Sequence, residues 1–335
     1  MIRGGGVAAR CCDRLLRHHG CRTVIKAGAP TPSPAVLLGD AAQALLRDCF
    51  GTLPDWPGVV RITRRVVAWG GQEPVSVPHD ALALQPGALD ALGPFAGRVA
   101  ADARQGDDGA FTIHATVPFP DPARHGFGCR QGLAVPVEIS ASESDSCWIE
   151  ALADGWLFMI PTGGGQGWLL GVGGALDDLL GMSRHLAPHV TLTGAVARRF
   201  ETAPRMIGRL SGAGWLACGT EAIAFDPLCG DGTAQAVREA ILAAAVIEAM
   251  GRHADDPCER EALSVHYHAM LLAAMRRHLR LCAGFYRSGG RTPWWDAQVA
   301  DLAEGFAWCS GQLALLPEPR YQLRDLRLFP MSRPQ

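Results

Sequence analysis

The hydrophobic and polar positions of the first fifty residues alternate between strand-like and helix-like stretches. The predicted elements are, in order, the end of a strand at 1–3, a glycine turn at 4–9, a helix at 10–19, a strand at 23–25 and a helix at 35–50. The first four of these elements together predict a compact β-turn-α-β unit at the start of the chain.

Further along the chain, short apolar stretches separated by glycine turns predict an antiparallel sheet. Its strands are predicted at 133–140, 147–152, 155–161 and 167–172. Single strands are also predicted at 59–69, 111–116 and 215–218, a long helix at 233–250, and mostly helical structure from 258 to 315. The pattern therefore predicts a mixed α/β protein with a helical last third.

The composition indicates a folded globular protein without a broad charged field. Apolar residues make up 48% of the 335 positions and charged residues 19%, which excludes a disordered chain. The formal net charge of −2 argues against nucleic acid or an anionic membrane as a main partner. No apolar stretch approaches the roughly 20 residues of a membrane span, and no targeting segment precedes the first strand. We therefore expect a cytoplasmic protein.

Cysteine, histidine and lysine positions limit the available chemistry. The 11 cysteines include no C-x-x-C pair, which predicts buried thiols in a reducing compartment and no metal site. The run His266-Tyr267-His268 predicts a surface cluster, since adjacent residues on a helix diverge. Lys26 is the only lysine, so any mechanism that needs a lysine amine has one candidate.

A glycine turn with the pattern Gly4-x-Gly6-x-x-Ala9 lies between the first predicted strand and helix. Such glycines let backbone N–H groups approach a pyrophosphate, and the helix N-terminus adds partial positive charge. The alternative is a flexible glycine-rich start of the chain. A dinucleotide site would also place an acidic residue about 20 positions further on, where it accepts from ribose hydroxyls, and Lys26 stands there instead. Lys26 is either a cation that suits a 2′-phosphate, as in NADP, or an ordinary solvated lysine.

A second glycine-rich pattern follows the strand predicted at 215–218. Gly219-Thr220-Glu221-Ala222 forms a loop, and Asp226-Pro227-x-x-Gly230-x-Gly232 opens the next helix. Proline fits the first turn of a helix, and the glycines leave room for a flat ring against the backbone. Free N–H groups at the helix end can stabilise negative charge on that ring. The alternative is a glycine-rich helix start that binds no ligand.

Taken in order, these motifs resemble the FAD-dependent aromatic hydroxylase superfamily, whose fold is that of p-hydroxybenzoate hydroxylase. The resemblance is closer to its tryptophan halogenase-like and cofactor-maturation branch, and it extends from about residue 4 to residue 300. The motifs that support this branch are Ala68-Trp69-Gly70, Ala115-Thr116, the stretch 155–161 with Phe158 in place of a tryptophan, Phe285-Tyr286, Arg291 and Trp294-Trp295.

The resemblance implies an α/β fold in which an FAD/NAD(P)-binding Rossmann-like domain joins an antiparallel substrate-side sheet and a C-terminal helical segment. It places a discontinuous FAD-binding domain at 1–130 and 205–250, the sheet domain at 131–204 and the helical segment at 251–335. It also implies FAD as the cofactor. The chemistry would be that of a monooxygenase-like oxidoreductase that uses reduced flavin and O2 on an aromatic substrate.

The same resemblance implies partners and site residues. The substrate would be an aromatic small molecule or peptide, such as tryptophan or peptidyl tryptophan, and NAD(P)H or a separate flavin reductase or protein partner would reduce the flavin. Trp156 and Phe158 are either core aromatics or the wall of the substrate site, and no catalytic residue is assigned. The residues implied to contact FAD are Gly4, Gly6, Ala9, Gly219, Thr220, Asp226, Pro227, Gly230 and Gly232.

Two departures from the family pattern support a second hypothesis. Lys26 replaces the ribose-binding acid, and Thr220 replaces an aspartate that bonds the ribityl chain, where a hydroxyl bonds less strongly than a charged acceptor. The alternative function is therefore a catalytically degenerate protein of this fold that binds a partner or peptide without turnover. Halogenation is the least expected activity, because the family's halogenases use a lysine near the substrate and Lys26 lies at the adenosine end.

Overall fold

The structure is a computed structural model that describes residues 1–28, 34–93, 98–99 and 111–331. The strands of the described residues are β1 (Ile2–Arg3), β2 (Val24–Lys26), β3 (Val36–Gly39), β4 (Val60–Ala68), β5 (Val75–Leu84), β6 (Arg98–Val99), β7 (Thr112–His114), β8 (Arg124–Gly126), β9 (Gln131–Ile139), β10 (Ser146–Leu152), β11 (Gly155–Gly163), β12 (Gln166–Gly173), β13 (Val190–Leu192), β14 (Arg198–Glu201), β15 (Arg205–Ile207), β16 (Ser211–Gly212), β17 (Trp215–Ala217), β18 (Ile223–Ala224), β19 (Tyr321–Arg324) and β20 (Arg327–Pro330). Their α-helices are α1 (Val7–His18), α2 (Asp40–Phe50), α3 (Leu176–Met182), α4 (Gly232–Arg252), α5 (Pro257–Gly289) and α6 (Pro293–Ala314).

One sheet has the strand order β16-β17-β7-β1-β2-β6, and its inner strands run parallel. Arg3 at the end of β1 pairs with Lys26 of β2 and with His114 of β7, and His114 pairs in turn with Ala217 of β17. Strands β1, β2, β7 and β17 therefore have their carboxyl ends side by side at one edge of the sheet. In open α/β sheets ligands bind beyond that edge. The sheet confirms the Rossmann-like arrangement that the sequence predicts.

Helices α1 and α4 pack against each other in the same direction. The Sγ atom of Cys12 lies 3.8 Å from the carbonyl oxygen of Ala240, and Leu16 and Ile247 line one small cavity of about 220 Å³. Because residue numbers rise together along both helices, their N-termini lie toward the same end. Helix α4 is buried around most of its circumference, as its Ala, Ile and Leu content requires.

The larger sheet has the order β13-β9-β12-β11-β10-β4-β5-β3, with β14 also paired to β9. Strands β9 to β12 are mutually antiparallel where they pair, as predicted for 131–204. The sheet contains more strands than the sequence predicts, because β3, β4 and β5 from residues 36–84 also belong to it. Strand β4 joins it by pairing parallel with β10, far away in sequence. The three-domain division stays a prediction.

Two local predictions were wrong, and one element was not predicted. The helix predicted at 35–50 begins only at Asp40, because the preceding apolar residues form β3 and pair with β5. The tail forms the β19–β20 hairpin, which no pattern indicated. His266 and Tyr267 are buried, since the His266 ring packs on Tyr321 of that hairpin and Tyr267 donates to the Ala217 carbonyl. Within the described parts of the chain, none of the helices combines the length and hydrophobicity that a membrane crossing requires.

Candidate functional site

The loops that follow β1, β2, β7 and β17 meet at the edge of the parallel sheet. A Cβ atom added to Gly4 would lie 3.1 Å from Ala115, and one added to Gly28 would lie 2.7 Å from the Thr116 methyl group. A Cβ on Gly219 would lie 3.2 Å from that of Ala8. The predicted glycine turn, the Ala115-Thr116 pair and the Gly219 loop are therefore neighbours, although more than two hundred residues separate the first from the last in sequence. Glycine is required at Gly4 and Gly219 because their φ angles are +137° and +88°.

The glycine turn leads directly into α1, as the sequence predicts. Gly6 precedes the first helical residue, and a Cβ added to Gly6 would meet no atom of the described residues within 4 Å. The amino end of α1 is thus open to a ligand, and its backbone N–H groups carry partial positive charge. Ala9 is fully buried and does not face this space. Its implied contact with a pyrophosphate is corrected to a packing role between helix and sheet.

Lys26 and Thr220 are both exposed at this edge. Lys26 ends β2 next to Arg3, so two cationic side chains stand where a ribose acceptor is expected. Thr220 follows the buried Gly219 and offers a neutral hydroxyl. Lys26 and Thr220, the two residues that depart from the family pattern, therefore both lie at the edge of the parallel sheet where the four loops meet.

A buried glutamate lies behind the Gly219 loop. The Gly219 N–H donates to the Glu239 carboxylate at 2.6 Å, and the Gln235 amide donates to the other carboxylate oxygen at 3.2 Å. Burial raises the pKa of Glu239 to about 8, against the opposing effect of these two donors. Sequence reasoning missed Glu239, because a glutamate in the middle of a helix gives no signal of burial.

The stretch from Asp226 to Gly232 is not one helix start. Pro227 opens a short 3₁₀ turn that ends at Cys229, Gly230 follows with φ of +63°, and α4 begins at Gly232. The Asp226 carboxylate faces inward and binds the Arg130 guanidinium at 2.9 Å, the Tyr286 hydroxyl at 2.9 Å and the Leu228 N–H. The implied FAD contact of the Asp226 side chain is therefore corrected to a buried structural role.

A cavity of about 540 Å³ lies beside this turn, between β4, β10 and α5. Its walls combine aromatic, aliphatic and charged side chains. The Arg65 guanidinium lies 3.5 Å from where a Cβ of Gly230 would be, and its buried Nε atom has no hydrogen-bond partner among the described residues. Residues that characterise the cavity are Arg65, Val67, Trp69, Phe225, Arg277 and Phe285.

Trp156 and Phe158 belong to the core and do not line this cavity. Trp156 is fully buried, and its indole N–H donates to the Tyr286 hydroxyl at 3.1 Å. An inward-facing indole with a satisfied N–H is typical of a core position. Of the two alternatives, Trp156 and Phe158 are therefore core aromatics, and the aromatic side chains that line the cavity are Trp69, Phe225 and Phe285.

The cavity also contains a cluster that the sequence did not reveal. Cys229 Sγ lies 3.5 Å from Cys282 Sγ, and Cys282 Sγ lies 3.3 Å from His278 Nε2. Burial and the nearby Arg130 guanidinium lower the pKa of His278 to about 3. The spacing of His278 and Cys282, four residues apart on one helix, was the only available signal, because Cys229 is 53 residues from Cys282.

The residues at the sheet edge fit FAD at some positions better than at others. The glycine turn, the common direction of α1 and α4, and the open space at Gly6 and Gly232 fit a pyrophosphate and a ring. Lys26 and Thr220 supply weaker partners for the ribose and the ribityl chain than a carboxylate would. The residues therefore fit an FAD that is held mainly through its pyrophosphate and its ring.

Comparison with known proteins adds independent support for the fold. No family model and no curated protein matches the sequence. Many solved structures match most of the chain, among them the following three. The peptidyl tryptophan dihydroxylase QhpG, essential for tryptophylquinone cofactor biogenesis, has 19% identity and a TM-score of 0.71, covering 89% of this chain and 77% of its own. The flavin-dependent halogenase CmlS has 17% identity and a TM-score of 0.72, covering 97% and 74%.

The third structure is the myxobacterial chondrochloren halogenase CndH, an FAD-dependent enzyme, with 16% identity, a TM-score of 0.71 and coverage of 98% and 93%. The chain has the fold of FAD-dependent halogenases and monooxygenases. This confirms the resemblance that the motifs indicate. At these identities the likeness establishes the fold, and the activity has to be argued from the site.

Proposed function

We propose that the chain is an FAD-dependent, monooxygenase-type oxidoreductase that acts on an aromatic ring. The observation that carries this proposal is the meeting of the glycine turn, the Ala115-Thr116 pair and the Gly219 loop at one edge of the parallel sheet. Aromatic residues line the cavity of about 540 Å³ beside the turn that precedes α4. A cavity of this size lies within the range that holds a small-molecule or side-chain substrate.

In this proposal each part of the chain has a separate task. The amino end of α1 and the turn from Gly4 to Gly6 hold the pyrophosphate through backbone N–H groups, and the segment around Gly230 and Gly232 supports the flavin ring. The bound flavin supplies the redox chemistry with O2. Trp69, Phe225 and Phe285 exclude water and orient an aromatic substrate, while Arg65 offers a cation to a polar substituent.

The substrate that we propose is a tryptophan in a small molecule or a peptide. The rim of the cavity is open and apolar, since Leu281 is 53% exposed and Phe285 47% exposed. Such a rim leaves room for the backbone of a peptide substrate whose tryptophan side chain enters the cavity. The similar fold of QhpG, a peptidyl tryptophan dihydroxylase, supports this class. NAD(P)H or a separate reductase would supply the electrons, and cytoplasmic placement stays a prediction.

Oxygen transfer is favoured over halogenation. Lys26, the only lysine of the sequence, ends β2 and is not among the residues that line the cavity. The resemblance implies that halogenation needs a lysine beside the substrate, and none stands there.

Titration with FAD tests the cofactor site, and Gly6→Val is the sharpest variant. Its Cβ would enter open space, so the fold should be retained, whereas the added methyl groups would block the approach of a pyrophosphate to α1. We expect FAD affinity to fall by about tenfold or more, or about 1.4 kcal/mol, in a fluorescence-quenching titration.

Gly39→Val is a matched control. Gly39 also precedes a helix, has a φ of −71° against −77° for Gly6, and likewise has nothing within 4 Å of an added Cβ. This variant should bind FAD as the wild type does. A wild-type protein that remains colourless after FAD is added would refute the enzymatic proposal.

The second candidate function is a protein of this fold that binds a partner or peptide without turnover. The exposed Lys26 and Thr220 favour it, because both weaken the expected cofactor contacts. Lys26→Glu and Thr220→Asp restore charged acceptors, and a hydrogen bond to a charged group contributes about 1.5–3 kcal/mol. If FAD is a physiological ligand in a weakened site, each variant should bind FAD roughly 10- to 100-fold more tightly by the same titration. Equal, undetectable binding in all three proteins would favour the partner-binding function.

A further inference from the structure

The cluster of Cys229, His278 and Cys282 is built from two separate parts of the chain. Cys229 ends the 3₁₀ turn that precedes α4, while His278 and Cys282 lie one turn apart on α5. The three donor atoms, two thiol sulfurs and one imidazole nitrogen, all lie within 4.8 Å of one another. All three residues are buried or partly buried, and Cys229 and His278 line the cavity. No step of the proposed oxidation uses them.

The distances suit a small thiophilic cation. Zn–S bonds of about 2.3 Å and Zn–N bonds of about 2.0–2.1 Å at tetrahedral angles place two sulfurs about 3.8 Å apart and a sulfur and a nitrogen about 3.6 Å apart. The Sγ–Sγ distance is 3.5 Å, and Cys282 Sγ lies 3.3 Å from His278 Nε2 and 3.9 Å from Nδ1. Two of the three donor pairs therefore lie within about 0.3 Å of these separations, and the donor atoms of the third pair, Cys229 and His278, lie within 4.8 Å of each other.

When a cation binds, the two cysteine thiols have to lose their protons, whereas the imidazole does not. An imidazole binds a metal ion in its neutral form, through the lone pair of a ring nitrogen. The thiol contact with Cys229 and burial raise the pKa of Cys282, so both thiols must release their protons to solvent when a cation binds. The Arg130 guanidinium opposes this rise and favours the Cys282 thiolate.

Binding also costs one hydrogen bond. His278 Nε2 accepts from the Asp226 N–H at 2.8 Å, and coordination through this nitrogen would displace that donor. The Asp226 N–H would then be a buried donor without its partner, which weakens binding. Sites with Cys and His ligands bind zinc far more strongly than one hydrogen bond contributes, so this loss does not prevent binding.

We propose that Cys229, His278 and Cys282 form a Cys₂His site for Zn²⁺ in the wall of the cavity. Two thiolates and one neutral imidazole bind the ion, two protons are released, and no electron is transferred. Because the cavity borders Cys229 and His278, the fourth position of a tetrahedral ion is open to it. That position can take a water molecule or a heteroatom of the substrate. This proposal is independent of whether FAD binds.

The experiment uses the full chain, reduced with a phosphine and stripped of metal with a chelator. Zn²⁺ affinity is measured by competition with a chromophoric chelator, and Cd²⁺ is added separately to detect thiolate-to-metal charge-transfer absorption in the ultraviolet. We expect one equivalent to bind. Cys229→Ser and Cys282→Ser should each weaken binding by at least about 100-fold, since loss of a partner outside the ligand shell alone costs about 10- to 100-fold.

Cys258→Ser is the matched control, because Cys258 is exposed in the first turn of the same helix, away from the cluster. It should leave affinity and the Cd²⁺ band unchanged. Circular dichroism without metal checks that each variant is folded. The proposal is overturned if the wild type shows no saturable Cd²⁺ band, if Cys258→Ser weakens binding as much as Cys229→Ser, or if mass spectrometry finds a Cys229–Cys282 disulfide that persists in the reductant.

Discussion

Replacing Arg130 by leucine should lower the free energy of unfolding by about 3–5 kcal/mol, because the change leaves a buried carboxylate without its counter-charge. The side chains of Arg130 and Asp226 are only 2% and 0% exposed, and their Nη2 and Oδ2 atoms are 2.9 Å apart. The guanidinium also donates to Gln298 at 2.9 Å and lies over the Tyr286 ring. Urea denaturation followed by circular dichroism measures the effect.

Arg61→Leu provides the control for this prediction. Arg61 pairs with Asp80 at 3.1 Å, but their side chains are 71% and 53% exposed, so the loss should be no more than about 1 kcal/mol. The double variant Arg130→Leu/Asp226→Leu removes both buried charges and should recover part of the lost stability. If Arg130→Leu is no more destabilising than Arg61→Leu, the buried pair does not contribute as argued.

Glu239→Gln should change how stability depends on pH. Burial raises the pKa of Glu239 from its ordinary value of 4.5 to about 8 in the folded chain, so between these values the folded state holds a proton that the unfolded state has released. Stability of the wild type therefore falls as pH rises through this window, by about 4–5 kcal/mol in total at 1.36 kcal/mol per unit. Glutamine cannot ionise and removes this loss.

The glutamine can also keep the local contacts. Its carbonyl can accept from the Gly219 N–H, and its amide can donate to Gln235 Oε1, a buried atom that has no partner. Urea denaturation at about pH 5 and about pH 9 should show the variant gaining on the wild type by about 4 kcal/mol, because most of the titration lies between these two pH values. Glu261→Gln, at an exposed position of α5, controls for the loss of a charge. Parallel pH profiles of Glu239→Gln and the wild type would contradict the raised pKa.

Sequence alone predicted the parts of the fold whose signals are local. The turn from Gly4 to Gly6 and the strands of the antiparallel sheet were recognisable because glycine conformation and period-two alternation are properties of short segments. The start of β3 was mistaken for a helix, since four apolar residues have no period of their own and their partner strand decides their conformation. A strand this short depends on β5 for its hydrogen bonds.

The candidate site was predictable only in its backbone. Gly4, Gly6 and Gly219 lie where the motifs put them, because glycine positions mark where a chain must turn or approach a ligand. The side chains were less predictable. Asp226 turned inward toward Arg130, which is 96 residues away, and Trp156 became a core residue. Burial of this kind depends on contacts between distant segments, and no spacing rule within one segment reveals it.

The parallel pairing of β4 with β10 has a kinetic consequence. Arg64 pairs with Ser146 and Ala68 with Glu150, so roughly eighty residues must be looped out before this pair can form. Topologies rich in such distant pairings have high contact order and fold slowly. Because the paired strands β4 and β10 together form the sheet side of the cavity, the cavity should be among the last features to mature as the nascent chain folds.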